Sequence, residues 1–131
     1  MNSRLTIILA IVLAFSPLVA EEPVSTPLER AQELLAEGSY EEAAAAAHEQ
    51  LSALEASGEG ESVTAADLLD VLLESRWRTG LVDDETRGYG ERALEIKRRV
   101  LGPGDAGVGK TLHHLAIVAF FNSEYAQAKS M

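Results

Sequence analysis

Residues Gly104 to Thr111 spell G-D-A-G-V-G-K-T. This is the phosphate-loop pattern G-x-x-x-x-G-K-[ST]. In that loop, backbone N–H groups wrap the phosphates of a nucleotide, the lysine reaches over them and the hydroxyl holds magnesium. Two other groups carry residue types suited to chemistry. His113 and His114 are adjacent, with His48 far away in sequence, and Asp67, Asp70 and Glu74 stand at i, i+3 and i+7. The first could suggest a metal, the second a charged stripe on one side of a helix.

The elements around these residues decide what they can do. A phosphate loop follows a buried β-strand. Here "ALEIKRRVL" precedes the glycines, with helical spacing and three consecutive basic residues. No apolar run ends in an aspartate that could serve magnesium. The same letters fill a turn between helices: "GPGD" stops one, and Val108 to Thr111 start the next. Nucleotide binding is therefore the remote alternative. On a helix the two histidines diverge by about 100°, so one metal does not easily take both. They read as a solvated or groove-facing pair. No two acids stand out as a buried acid and base. The chain has no cysteine, which excludes disulfides, thiolate zinc sites and a cysteine nucleophile. The reading is a protein without catalysis, cofactor or metal.

Composition narrows the partners. Among 131 residues, 11 are basic and 21 acidic, for a net charge of −10. Nucleic acid and anionic membrane both require a basic footprint, which this chain lacks. Apolar residues make up 47% and aromatics only 5%. Much of the apolar content is Ala and Leu, which favours helices. The first 20 residues stand apart: a basic "MNSR", the apolar run "LTIILAIVLAF", then "SPLVA" and an abrupt "EE". That is the layout of a signal peptide cleaved between Ala20 and Glu21. It implies export, to a periplasm or to the outside. The rival reading, an uncleaved anchor, is the only contact with a membrane to be expected. It requires ~20 apolar residues, more than this run supplies.

After a polar lead-in at 21–26, start and stop signals alternate. Thr26 with Pro27 and Glu29, Ser39 with Glu42, and Thr64 with Asp67 read as capping boxes. Gly38, "SGEG" at 57–60, Gly80 and "GPG" at 102–104 read as stops. The spacing predicts helices near 27–37, 40–56, 66–80, 84–101 and 108–122, with another start at 124. No segment alternates like a strand, so the fold class is all-α. In 84–101, Tyr89, Ala93, Ile96 and Val100 make one apolar stripe. In 108–122, Val108, Leu112, Leu115 and Ala119 make another, widened by Ile117, Val118, Phe120 and Phe121. Such a helix is expected to be sandwiched between neighbours.

A repeat is legible as well. "GSYEEA" at 38–43 and "SEYAQA" at 123–128 are related by two periods of about 42–43 residues. The segment "ALEIKRRVLGPGDAGVGKTLHHLAIVAFFNSEYAQA" resembles the tetratricopeptide repeat of the long, kinesin light chain type. The resemblance implies an α-solenoid of stacked antiparallel hairpins, with units near 27–60, 64–104 and 108–131, the last one incomplete. Gly88, Gly90 and Asp83 depart from the family pattern and mark the second unit as the least stable. Carried onto this chain, the family's groove positions fall on Asp67, Asp70, Glu74, Trp77 and Arg78, then on Lys110, His113, Ile117, Phe120 and Phe121. The family often has paired asparagines where this chain has Asp70–Val71 and His113–His114. Clamping of a peptide backbone in the family's manner is therefore not expected. The function implied is an exported protein-binding module or assembly scaffold. Its partners would be proteins or peptides with basic segments, together with self-association through an open C-terminal face. The runner-up is the N-terminal repeat part of a larger enzyme or signalling protein.

Overall fold

A computed structural model describes residues 23–130 of the chain. Regular structure among them is entirely helical: α1 Pro27–Ala36, α2 Tyr40–Ala56, α3 Val63–Arg78, α4 Asp84–Leu101 and α5 Ala106–Ser130. The expected signal segment and its cleavage point lie outside the described residues. No helix among those described is long and apolar enough to cross a membrane.

Local chemistry sets the boundaries. Thr26 closes a full capping box with Glu29 ahead of Pro27. Ser39 precedes α2 but makes no side-chain cap. The third start differs from the expected Thr64: Ser62 caps α3 by accepting from the backbone N–H of Ala65. Asp83 caps α4 in the same way, accepting from Thr86. Helices α1 to α4 each end at a glycine with positive φ, at Gly38, Gly58, Gly80 and Gly102. That conformation turns the chain out of the helix at little steric cost. After Gly109 the chain has no further glycine and no proline. Consequently α5 runs unbroken through Asn122, Ser123 and Glu124, where the sequence suggested a turn.

Each helix packs on the next, and α3 also touches α1 and α5. This makes α3 the central element. Ala65, Ala66, Leu68, Leu69, Val71, Leu72 and Leu73 are all buried, covering nearly its whole circumference. Each fully buried leucine contributes on the order of 1.5–3 kcal/mol. On α2, Ala43, Ala47 and Leu51 form the buried side, so the alanine run supplies a closely packed face. The sandwiched role expected of 108–122 thus belongs to α3. Among the described helices, α5 meets only α3 and α4. Its buried line is Val108, Thr111, His114 and Val118, rotated away from Leu112 and Ala119, which are exposed. Phe120, Phe121 and Tyr125 are 59%, 45% and 67% exposed.

The two glycines within α4 differ. Gly88 faces open space. Gly90 is buried, and a Cβ there would lie 2.8 Å from Leu115 Cγ and 3.0 Å from a methyl of Leu73. Its missing side chain lets α5 settle against α3 and α4. Opposite responses to one substitution should follow. Gly88→Ala should stabilise the fold by about 0.5–1 kcal/mol, through helix propensity alone. Gly90→Ala should destabilise it by about 1–3 kcal/mol despite the same gain in propensity. Urea denaturation of the two variants checks both, and equal shifts of the same sign would contradict the packing assigned to Gly90.

Candidate functional site

Five of the candidate residues lie on α3, and three of these carry the acidic stripe. Asp70 is 4% exposed. Its carboxylate accepts from the Lys97 ammonium and from the Thr111 hydroxyl at 2.8 and 3.0 Å. Lys97, 2% exposed, also meets Asp67 at 3.0 Å. The ion cluster joins α3, α4 and α5 in their shared interior. Burial opposes the charge on Lys97, but hydrogen bonds and attraction from Asp70 and Asp67 outweigh it and hold its pKa above the ordinary value. Asp70 therefore does not line a groove, nor is it a solvated surface acid. Its charge is compensated inside the core.

One turn on, Glu74 is committed too. It accepts from Arg78 at 2.9 Å and sits 3.4 Å from His114 Nε2. The other ring nitrogen of His114, Nδ1, accepts from the indole N–H of Trp77 at 3.1 Å. With Nδ1 accepting, the neutral imidazole carries its proton on Nε2, facing Glu74. Burial holds His114 below its ordinary pKa of 6.5. Glu74 and Asp70 pull upward against it, and Lys110 and His113 add to the lowering. Arg78 lies 4.6 Å from the centre of the Trp77 ring and 5.8 Å from that of Tyr40, bridging the end of α3 to the start of α2. His113 points outward, so the two histidines have separate roles.

The exposed aromatic residues border two adjoining hollows. One, of about 620 Å³, is lined by Tyr40, Trp77, Arg78, Val82, Phe121 and Tyr125. The other, of about 500 Å³, lies between Trp77, His113, Ile117, Phe120 and Phe121. Trp77 and Phe121 form the ridge common to both. Lys110 is exposed on α5 and lines neither.

The phosphate-loop spelling has a different geometry. Helix α4 ends at Leu101, Pro103 and Gly104 form a turn, and Ala106 to Thr111 are helical. The element before the glycines is the helix α4, where a phosphate loop needs a strand, and the backbone N–H of Gly107 is taken by Asp105 Oδ1 at 2.7 Å. Thr111, where a phosphate loop would hold magnesium, is fully buried against Asp70. The sequence reading missed three buried polar partners: Lys97, Thr111 and His114. A signal for Lys97 did exist. Thr86, Gly90, Ala93 and Lys97 recur at spacings of four, three and four, which is a second inward stripe on α4.

His114 gives the cluster a pH dependence. Its folded pKa lies below 6.5, so the unfolded chain binds more protons near that value. The stability it contributes is complete above about pH 6.5 and is lost as pH falls toward the folded value. Protonation also removes the acceptor for the Trp77 indole. Trp77 is the chain's sole tryptophan, so its emission reports the event directly. Between pH 7.5 and 5 the native emission should change and the urea midpoint should fall. His114→Gln, which keeps an acceptor but does not titrate, should flatten both responses. Identical pH profiles for the two proteins would assign the effect elsewhere.

Compared with protein-family models, with curated proteins and with solved structures, the chain finds no match.

Proposed function

We propose that the protein is an exported, non-catalytic module that binds another protein, built from stacked helical hairpins of the tetratricopeptide type. Support for the hairpin stack comes from the packing order: sequential helices pair, and the alternate helices α1 and α5 both meet α3. The observation that carries the binding reading is the placement of aromatic residues. A chain with only 5% aromatics gathers Tyr40, Trp77, Phe121 and Tyr125 around one open hollow. Rigid aromatic side chains give large contact area at low entropic cost, which suits a recognition surface. The partner segment is accordingly apolar or aromatic where it enters.

The acidic stripe does not select basic peptides in this reading, because Lys97, Arg78 and His114 already engage its carboxylates. The overall negative charge acts only at longer range. It speeds encounter with basic partners, and salt screens it over ~10 Å.

Selection of a random peptide library on the immobilised full chain tests the hollow. Enriched peptides should alter Trp77 emission and lose about tenfold or more in affinity on Phe121→Ser, as for a central interface residue. Peptides that bind wild type and variant alike would place recognition elsewhere. Export is tested separately, by mass spectrometry of the protein from its host. A mature N-terminus at Glu21 is expected, and an intact Met1 in the membrane fraction would contradict it.

A further inference from the structure

We infer that the outward face of α5 pairs with α5 of a second copy of this chain, antiparallel, with the two-fold axis passing beside Ile117. Three observations converge on this arrangement.

First, among the described residues α5 packs only on α3 and α4. Its other side offers Phe120, 59% exposed, as the outer wall of the hollow that it lines with Trp77, His113, Ile117 and Phe121. A protruding aromatic and a receiving hollow on one face are the ingredients of an isologous interface. In such an interface, residue i of one copy meets residue j of the other and the reverse holds as well. Two-fold pairing about Ile117 sets Phe120 level with His114 of the other copy, next to the exposed His113 at one edge of the hollow.

Second, the charges of this segment are antisymmetric. From Asp105 to Ser130 the only charged residues are Asp105, Lys110, Glu124 and Lys129. Lys110 and Glu124 each lie seven residues from Ile117, and Asp105 and Lys129 each lie twelve away, with opposite signs on the two sides. Seven residues return to nearly the same direction around a helix, so Lys110, Ile117 and Glu124 share one stripe. Antiparallel pairing therefore opposes Lys110 of each copy to Glu124 of the other, twice over. Parallel pairing would set like on like.

Third, neither Lys110 nor Glu124 takes part in a salt bridge among the described residues, although most of the chain's other arginines and lysines do. The chain as a whole carries −10, so two copies repel each other at most orientations. The α5 segment is locally neutral, with two acids and two bases, so pairing through it adds no like-charge repulsion of its own.

The chain has no cysteine, which allows the register to be read by cross-linking in the full chain. Helix axes about 8–10 Å apart, with Cα atoms ~2.3 Å from each axis, bring the two Ile117 Cα atoms to about 3.5–5.5 Å of each other where they face across the axis. That is disulfide reach. Ile117→Cys should form a covalent dimer under mild oxidation. Gly109 is also exposed on α5, but the register holds its two copies ~24 Å apart along the axis, so Gly109→Cys should not cross-link. Equal cross-linking at both positions would overturn the register.

Charge exchange supplies an independent arm, read by sedimentation. Lys110→Glu and Glu124→Lys should each weaken dimerisation about tenfold, and added salt should weaken the wild-type dimer. An equimolar mixture of the two variants should regain wild-type affinity, because both contact points of the mixed dimer again set a carboxylate against an ammonium. A mixture no tighter than the separate variants, or wild type that sediments as a monomer throughout, would refute the pairing.

Discussion

The charge on Lys97 is the constraint around which the interior is organised. An ammonium buried to this extent is stable only with anionic and hydrogen-bonded company, since stranding one member of a buried pair costs on the order of 3–5 kcal/mol. Asp70 supplies the charge, Asp67 adds a second carboxylate from the rim, and the Thr111 hydroxyl donates to Asp70 from α5. The members of this cluster come from three helices. Satisfying them fixes the rotation of α4 and α5 against α3 in a way that apolar contact, which is not directional, would leave loose.

That fixed rotation explains the asymmetry of the outer helices. Thr111 must face α3, so Val108, His114 and Val118 turn inward with it, and Leu112, Phe120 and Tyr125 turn out. Gly90 then admits Leu115 between α3 and α4. The exposed aromatic surface of α5 is therefore a consequence of the buried polar cluster. It is not a failure of the sequence to bury its apolar residues. His114 stands at the junction: one ring nitrogen belongs to the interior through Glu74, and the other holds Trp77 at the ridge of both hollows. Core and surface are coupled through this one ring.

A protein-binding role and self-pairing of α5 draw on neighbouring parts of the same surface. The hollow beside Tyr40 and Tyr125 lies on one side of the Trp77–Phe121 ridge, and the Phe120 side lies on the other. Two copies joined about Ile117 would present two such hollows in a fixed relation. Paired sites of this kind convert a second contact with an elongated partner into an intramolecular step, raising overall affinity without any new contact.

What the sequence determined by itself is the local part. Helix class, the cap at Thr26 and the stops at Gly38, Gly80 and Gly102 follow from short-range sterics and hydrogen bonding, which a few adjacent letters encode. The helical context of Gly104 to Thr111 was equally legible, because a strand cannot be written with the spacing of "ALEIKRRVL". Which polar side chains face inward, and against what, was not. Asp67, Asp70 and Glu74 have the spacing of a surface stripe, Lys97 reads as one of three basic residues, and Thr111 as the end of a nucleotide motif. Their true environment depends on groups 27 and 41 residues away in sequence. No local pattern records such a pairing. A charged residue looks the same in the sequence whether its counter-charge is water or a carboxylate from another helix, and only the tertiary packing of α3, α4 and α5 decides between them.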